Sequence, residues 1–194
     1  MLPAVLPAPA SPVTVPRLLR GRMLVLDDHE NLCGGPDAPA VVSWAVWEAL
    51  TSALAVTPED NVLLGLSDFG AKNFMGSLPV NRVRLRVGRG PDGADNAIID
   101  SVDPQHVAER FDSVVIASGD HIFATLAWRL RDLGMLVCNV TTSAAGVSRA
   151  LVQACQCHAR LRINVRDKGL LERLAASGVP THGYEGQWIV RNFG

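Results

Sequence analysis

Short apolar runs that end in turn residues alternate with segments of helical spacing along the middle of the chain. The clearest run is Val114 to Ala117, which Ser118 and Gly119 close and which the helically spaced segment 123–130 follows. An unbroken run of β-branched and small apolar residues is typical of a strand buried on both faces. Parallel strands need long crossover connections, usually helices. The alternation therefore predicts an α/β fold, a three-layer sandwich with a mainly parallel sheet.

The same patterns divide the chain into three parts. Residues 1–20 are rich in Pro and Ala and predict an extended leader, residues 21–166 form the domain, and residues 167–194 form a C-terminal extension. Aromatic residues near the C-terminus predict that this extension packs on the domain or on a second copy, which leaves a homodimer open. The predicted strands are 22–27, 61–66, 82–87, 114–117, 136–140 and 161–165. The predicted helices include 41–54, 95–102 and 148–154, with 67–73 as a loop or short helix.

Charge and cysteine content restrict the class of protein. The net charge is −1, which argues against a strong nonspecific binder of polyanions. The sequence holds four cysteines and neither a secretory segment nor a run long enough to span a bilayer, so a reducing cytoplasm and no membrane partner are expected. Cys155 and Cys157 are only two positions apart and lack a second pair of ligands with zinc-site spacing, so buried free thiols are favoured there over a metal.

Three aspartates lie where predicted elements begin or end. Asp28 follows the first strand, Asp120 follows the strand at Val114 to Ala117, and Asp95 begins a helix that leads toward that strand. The carboxyl ends of parallel strands share one edge, so these carboxylates are expected to lie close together. Crowded carboxylates repel each other unless a hard cation neutralises them, and oxygen-rich sites suit Mg²⁺ or Mn²⁺. The sequence thus predicts a metal site with chemistry suited to phosphodiester hydrolysis.

Each acid also has a simpler interpretation. Asp120 and Asp95 could only cap the helices that follow them, because Asp is a favoured N-cap residue. Asp28 could hydrogen-bond its own loop, and the neighbouring Asp27 could do the same. His29 and His121 flank two of the acids and could carry protons, since imidazole titrates near neutral pH, or could be ordinary loop residues.

Three motifs in order resemble the NYN family of PIN-like ribonucleases. Residues 26–32 (Leu-Asp-Asp-His-Glu-Asn-Leu) resemble its Asp-x-x-Asn strand end, residues 93–100 its Gly-x-Asp helix start, and residues 118–120 its Ser-Gly-Asp turn. The resemblance runs from about residue 22 to residue 165. It implies a Rossmann-like, PIN-like sandwich and metal-dependent cleavage of single-stranded RNA. It also implies catalytic, metal-binding roles for Asp28, Asp95 and Asp120, supported by Asn31 and Ser118.

The chain departs from the family pattern at two positions. Ile122 stands where a second acid often follows the Ser-Gly-Asp turn, and Gln156 stands where an acid is common near the end of the domain. Asp100 is a candidate replacement ligand because it follows Asp95 by five residues, although that spacing is nearly a turn and a half of helix. Because of these departures, the predicted metal site could lack some of the acidic ligands that the family uses.

Further substrate-binding candidates lie outside the acidic motifs. Arg82, Arg84 and Arg86 alternate with apolar residues, so they are expected on one wet face of a strand, where they could guide an RNA backbone or protect a sheet edge from aggregation. Thr142 follows a predicted strand, as do Thr141 and Ser143, and could hold a phosphate or form a turn. Three tryptophans are expected to pack in the core rather than to stack on bases, namely Trp44, Trp47 and Trp128.

Two functions from different classes are therefore carried forward. The first is a metal-dependent endoribonuclease that hydrolyses RNA through an Asp-bound Mg²⁺ or Mn²⁺. The second is a catalytically degenerate NYN-like module that binds RNA or a protein partner, for which Ile122 is the sign. A phosphatase with Asp28 as nucleophile is disfavoured, because the Asp-x-Asp pattern and a suitably placed downstream Lys are missing.

Overall fold

A six-stranded, all-parallel sheet forms the centre of the molecule. The computed structural model describes residues 21–76, 78, 83–142, 145–163, 172 and 176. The strands are β1 (Met23–Asp28), β2 (Asn61–Ser67), β3 (Arg84–Gly88), β4 (Ser113–Ala117), β5 (Leu136–Thr141) and β6 (Cys157–Arg160). They lie in the order β3-β2-β1-β4-β5-β6, and every pairing is parallel. The predicted α/β fold with a parallel sheet is confirmed.

Helices cover both faces of this sheet. The helices are α1 (His29–Cys33), α2 (Ala40–Ala53), α3 (Asp68–Phe74), α4 (Gly93–Ile99), α5 (Pro104–Arg110), α6 (Ala124–Asp132) and α7 (Arg149–Ala154), and a 3₁₀ turn covers His121–Phe123. Alternate residues of β1 enter different cores: Val25 packs with α2, whereas Leu24 and Leu26 pack with α4, α5 and α6. Because successive side chains of a strand point to opposite faces, one apolar strand serves both layers.

The last predicted strand is wrong. It was expected at 161–165, but residues 161–163 form no strand, and β6 lies at Cys157–Arg160. The residues of β6 are only partly buried, because β6 lies at the edge of the described sheet and pairs there with β5 alone. Its sequence therefore lacks the continuous apolar run of a central strand. The leader 1–20 lies outside the described residues, as does the C-terminal extension from 167 except for positions 172 and 176.

The strand of arginines is also an edge strand, and its faces differ from the prediction. Arg82 lies outside the described residues. In β3 Arg86 is half-buried, whereas Val87 is 44 % exposed. Arg84 is exposed, as the alternation predicts, whereas Arg86 is half-buried because its Nε bonds Ser101 in the chain that follows α4, so only part of this face is open and wet. Trp128 differs in the same way: it is 45 % exposed and stacks against the guanidinium of Arg131, whereas Trp47 is buried as expected.

The cysteines are arranged differently from the expected free thiols. Cys138 of β5 and Cys157 of β6 occupy directly paired positions with Cα atoms 4.6 Å apart and are joined as a disulfide. Cys33 and Cys155 are free and buried. The correction arises because strand pairing, which the local sequence does not specify, places two distant cysteines opposite each other. Among the helices of the described residues, none combines the length and apolarity needed to cross a bilayer.

Candidate functional site

The carboxyl end of β1 lies at the point where the strand order reverses. β1 pairs with β2 on one side and with β4 on the other. The chain leaves β1 toward β2 and leaves β4 toward β5, and these two directions along the sheet are opposite. A crevice forms at such a switch point, and ligands of open α/β sheets bind there. Asp28 is the last residue of β1, and Ser118 follows the last residue of β4. Both polar side chains are therefore fixed at the floor of this crevice by the two central strands.

Asp28 is held in place by its neighbours. The Ser118 hydroxyl donates a hydrogen bond of 2.6 Å to Oδ2 of Asp28, and the backbone N–H of Asn31 lies 3.4 Å from Oδ1 as a cap of α1. Ser118 Oγ also accepts the backbone N–H of Asp120 at 3.0 Å. Asp28 is 4 % exposed and Ser118 is fully buried. The orientation of Asp28 thus depends on the turn after β4.

Asp95 comes to the same place from the first turn of α4. Its side chain lies close enough to Asp28 for the charges of the two carboxyl groups to interact, and it is 8 % exposed. Its Oδ1 is buried and finds no hydrogen-bond partner among the described residues. The start of α4 reaches this place because the backbone at Gly93 packs directly against Gly88. Glycine is needed at position 88, since a Cβ there would overlap the carbonyl of Gly93. A buried carboxylate oxygen without a donor is costly unless a ligand or cation satisfies it.

Electrostatics at this pair favour bound protons or a cation. Burial raises the pKa of Asp28 well above its ordinary value, and the negative charge of Asp95 adds to this effect, against the opposing hydrogen bond from Ser118. Burial also raises the pKa of Asp95, with contributions from the charges of Asp120, Asp92 and Glu30.

Asp120 lies at the rim of this group and also acts as a cap. Its Oδ1 accepts the backbone N–H of Ile122 at 3.0 Å and lies 2.8 Å from Nδ1 of His121. His121 is exposed, and the Asp120 side chain is 30 % exposed. The metal-ligand and helix-cap interpretations of Asp120 are therefore not exclusive, because one of its oxygens caps the turn while its charge acts on Asp95.

The crevice opens into a cleft of about 390 Å³ with an acidic lining. Its lining includes Asp28, Glu30, Asn31, Asp92 and Asp95. Glu30 and Asp92 were missed as site residues. Glu30 Oε1 accepts both the backbone N–H (2.6 Å) and the hydroxyl (2.8 Å) of Ser67, so it joins α1 to the end of β2. The signal was present, because Glu30 lies inside the Asp-x-x-Asn run and Asp92 directly precedes the Gly-x-Asp motif.

The other predicted residues separate into two groups. Asn31 lines the cleft, and its Oδ1 accepts the backbone N–H of Gly119 at 2.9 Å, which supports its role in ordering the loop. The Thr142 hydroxyl is buried and donates 2.7 Å to the carbonyl of Leu32, so it joins the loop after β5 to α1. Ser143 lies outside the described residues. Arg84 and Arg86 line a different cavity and do not line the cleft.

Three further residues named from the sequence lie away from the cleft. Asp100 is exposed at the C-cap of α4, at the opposite end of the helix from Asp95, and does not supply the replacement acid. Gln156 bonds the backbone of Met135 and Val137 at the amino end of β5, so an acid there would not join the cleft acids. His29 is fully buried between Asp27 and Ser43, at 3.3 Å and 3.0 Å, and is part of the core.

Comparisons with known proteins assign the chain to no family. No family model matches the chain, and no curated protein matches it. Among solved structures, the chain is similar to the crystal structure of a protein of unknown function from Vibrio parahaemolyticus RIMD 2210633, with 17 % identity and a TM-score of 0.43. That match covers 72 % of this chain and 92 % of the other.

Within the described residues, no group of three or more acidic, His or Cys side chains forms a ready metal-binding set.

The raised pKa of Asp28 predicts a specific pH dependence of stability. Because Asp28 binds its proton more tightly in the folded chain, its contribution is fully present below the unfolded pKa of about 3.9 and is lost as pH rises through the folded pKa. Each unit of upward shift corresponds to about 1.4 kcal/mol. We expect urea unfolding in EDTA at pH 4.5, 6 and 7.5 to show this loss in the wild type and a smaller loss in Asp28→Asn, whose amide mimics the protonated acid.

The matched control for this prediction is Asp100→Asn, because Asp100 is an exposed acid outside the cleft. Its pH dependence should follow that of the wild type. If the free energy of unfolding depended on pH equally in the wild type and in Asp28→Asn, ionisation of the buried Asp28 would not lower the stability of the fold.

Proposed function

We propose that this protein is a divalent-cation-dependent hydrolase of RNA phosphodiester bonds. The observation that carries the proposal is the pair of buried, electrostatically interacting carboxyl groups, Asp28 and Asp95, at the switch point of the sheet. The resemblance of three motifs to NYN ribonucleases supports RNA as the substrate, since the acids of all three motifs lie on this side of the molecule. The acidic lining of the cleft supports a cation as the third component, because a phosphodiester would otherwise be repelled.

The residues of the cleft fit Mg²⁺ or Mn²⁺ in their chemistry. Asp95 offers a buried oxygen without a partner, and Asp28 can exchange its proton for a cation, which suits the hard oxygen preference of these ions. Asp28 and Asp95 would hold the ion, and Asp120, which is not among the residues that line the cleft, would act on it through its charge. A bound ion would supply acidified water and neutralise the charge that develops on the phosphoryl oxygens.

The chain's own residues would do the remaining work by positioning. Ser118 fixes the Oδ2 atom of Asp28, so one face of that carboxyl group stays directed toward the cleft. Asn31 holds Gly119, and through it the turn that carries Ser118 and Asp120. Glu30 holds α1 against Ser67, the residue that ends β2 and caps α3. These bonds keep the acids close together despite their repulsion, which is the preorganisation that a catalytic site requires.

Thermal stabilisation by Mn²⁺ tests the cation part of the proposal. At pH 7.5 we expect Mn²⁺ to raise the Tm of the wild type, because a ligand that binds only the folded state adds RT ln(1 + [L]/Kd), about 2.7 kcal/mol at 100 times Kd. Asp28→Asn and Asp95→Asn should lose most of this shift, and Asp100→Asn should keep it. A shift that is absent from the wild type, or equal in all four proteins, would contradict a cation held by the carboxyl pair.

A non-catalytic module that binds RNA or a protein partner is the second candidate. Two observations favour it. Asp120 Oδ1 is already engaged as a cap, and Ile122, at the position where NYN proteins often have an acid, packs against the core. This candidate predicts binding of single-stranded RNA without cleavage at any Mn²⁺ concentration. Analysis of labelled RNA on denaturing gels distinguishes the two functions.

A further inference from the structure

A second cavity, of about 130 Å³, lies at the opposite edge of the sheet from the acidic cleft. Its floor is formed at the amino ends of the strands by Leu24, Asn61 and Arg84, whereas Asp28 ends β1 at the carboxyl edge. Side chains from the segment that follows α4, residues 101–103, and from α5 complete the wall. The cavity is therefore separate from the site described above, and it belongs to the layer of helices that includes α4.

Basic groups from two different elements meet at this cavity. Arg84 and Arg86 come from β3, and Arg110 and His106 come from α5. The guanidinium of Arg22 lies 5.3 Å from the ring centroid of Phe111, another lining residue. Within the described part of the chain, no carboxylate lies within 4.0 Å of the nitrogen atoms of Arg84, Arg86 or Arg110.

The acids near the cavity are already engaged. Asp103 is a lining residue, but its Oδ1 accepts the backbone N–H of Gln105 at 3.0 Å as the N-cap of α5. Asp112 Oδ2 accepts the backbone N–H of Arg22 at 2.7 Å. Asp103 keeps its charge in this bond, but three guanidinium groups against one lining carboxylate leave the local balance positive, and two of these guanidinium groups are directed by neutral partners.

Those neutral partners keep the guanidinium groups in place without cancelling their charge. Arg86 Nε donates 2.6 Å to the hydroxyl of Ser101, and Arg86 Nη1 donates 3.0 Å to the carbonyl of Leu85. Arg110 Nη1 lies 3.1 Å from Nε2 of His106. Because an arginine can only donate, Nε2 of His106 is the acceptor of this hydrogen bond. Arg86 and Arg110 keep further N–H donors, because a guanidinium carries five.

Protection of an edge strand does not account for this arrangement. Charges that protect an edge need only point from the edge strand into water. Here Arg86 is half-buried and folded against Ser101, and Arg110 and His106 come from a helix that is not part of any edge. Convergent, uncompensated guanidinium groups are the usual means of binding a phosphate.

We infer that this cavity binds a phosphate group, and that Arg84, Arg86 and Arg110 contact it. If the phosphate belongs to the backbone of an RNA substrate, the inference rests on the proposed function. The described residues that line the acidic cleft include no Lys or Arg, so the RNA backbone would have to be held by another surface. If the source is free phosphate, the same side chains bind it as a small ligand.

Binding measured without cleavage tests the site in the RNA arm. Fluorescence anisotropy of a labelled single-stranded oligouridylate is recorded in EDTA for the full chain, at several salt concentrations. Arg84→Gln and Arg110→Gln should each weaken binding about 10-fold and reduce the slope of log affinity against log salt by about 0.7. Arg129→Gln is the matched control, because Arg129 is exposed on α6 and does not line the cavity. The Tm of each variant shows that the fold is kept.

Titration calorimetry with inorganic phosphate is the second arm. Loss of both RNA and phosphate affinity, or of RNA affinity alone, in the two cavity variants supports the site with RNA as the source. Loss of phosphate affinity alone supports the site with free phosphate as the source. Unchanged affinities, or an equal loss in Arg129→Gln, would overturn the inference. Because neither arm requires catalysis, absence of RNA cleavage would contradict the proposed function without affecting this result.

Discussion

Asp28→Asn is expected to lower the rate of Mn²⁺-dependent cleavage of single-stranded RNA by at least about 100-fold, the upper range for disturbing groups around a catalytic metal. The substitution keeps the shape of the side chain and an acceptor for the Ser118 hydroxyl, so the local fold should persist. It removes the negative charge that would share a cation with Asp95. Initial rates on a labelled RNA, measured at saturating Mn²⁺, give the comparison.

Two further variants complete this experiment. Asp95→Asn should show a loss of similar size, because the two carboxyl groups act as one pair. Asp100→Asn should cleave at the wild-type rate, since that exposed acid lies at the far end of α4. Cleavage by the wild type that persists in Asp28→Asn would exclude this pair as the catalytic centre, and a wild type with no cleavage would leave the binding module as the supported function.

Gly119→Ala is expected to destabilise the protein by about 3 kcal/mol, the upper range for forcing an extra methyl group into a closely packed site. A Cβ at this position would overlap the carbonyl oxygen of Gly146, which is backbone and cannot rotate away as a flexible side chain would. The backbone of Gly119 also bonds Asn31 Oδ1 at 2.9 Å and the N–H of Ser148 at 2.8 Å. Movement of this turn would therefore disturb α1, α7 and the support of Asp28 together. Chemical denaturation measures the loss.

Gly76→Ala is the matched control for that substitution. A Cβ at Gly76 meets no atom of the described residues within 4 Å, so the free energy of unfolding should change by less than about 0.5 kcal/mol. Equal effects at the two glycines would show that the turn after β4 tolerates a side chain. We would then no longer attribute the arrangement of Ser118 and Asp120 to the close approach at Gly146.

Local sequence patterns predicted the elements that carry strong periodicity and failed where pairing decides. The buried runs of β1, β2, β4 and β5 were located to within one or two residues, because strands covered on both faces need continuous apolar segments. β6 was placed about four positions too late, since its burial depends on lying beside β5 and not on its own composition. Gln156 was named as a position where a family acid is common, although its side chain bonds the opposite edge of the sheet from the acidic cleft.

The sequence by itself determined the class of fold and the presence of acids at strand ends, because hydrophobic period and turn chemistry are properties of neighbouring residues. Only the tertiary structure decided which acids meet. It joined Asp28 to Asp95, added Glu30 and Asp92 to the cleft, left Asp100 outside, and moved Arg84 and Arg86 to a cavity at the other edge. The physical reason is that strand order, close glycine contacts and helix direction bring together residues far apart along the chain, and no local pattern records those distances.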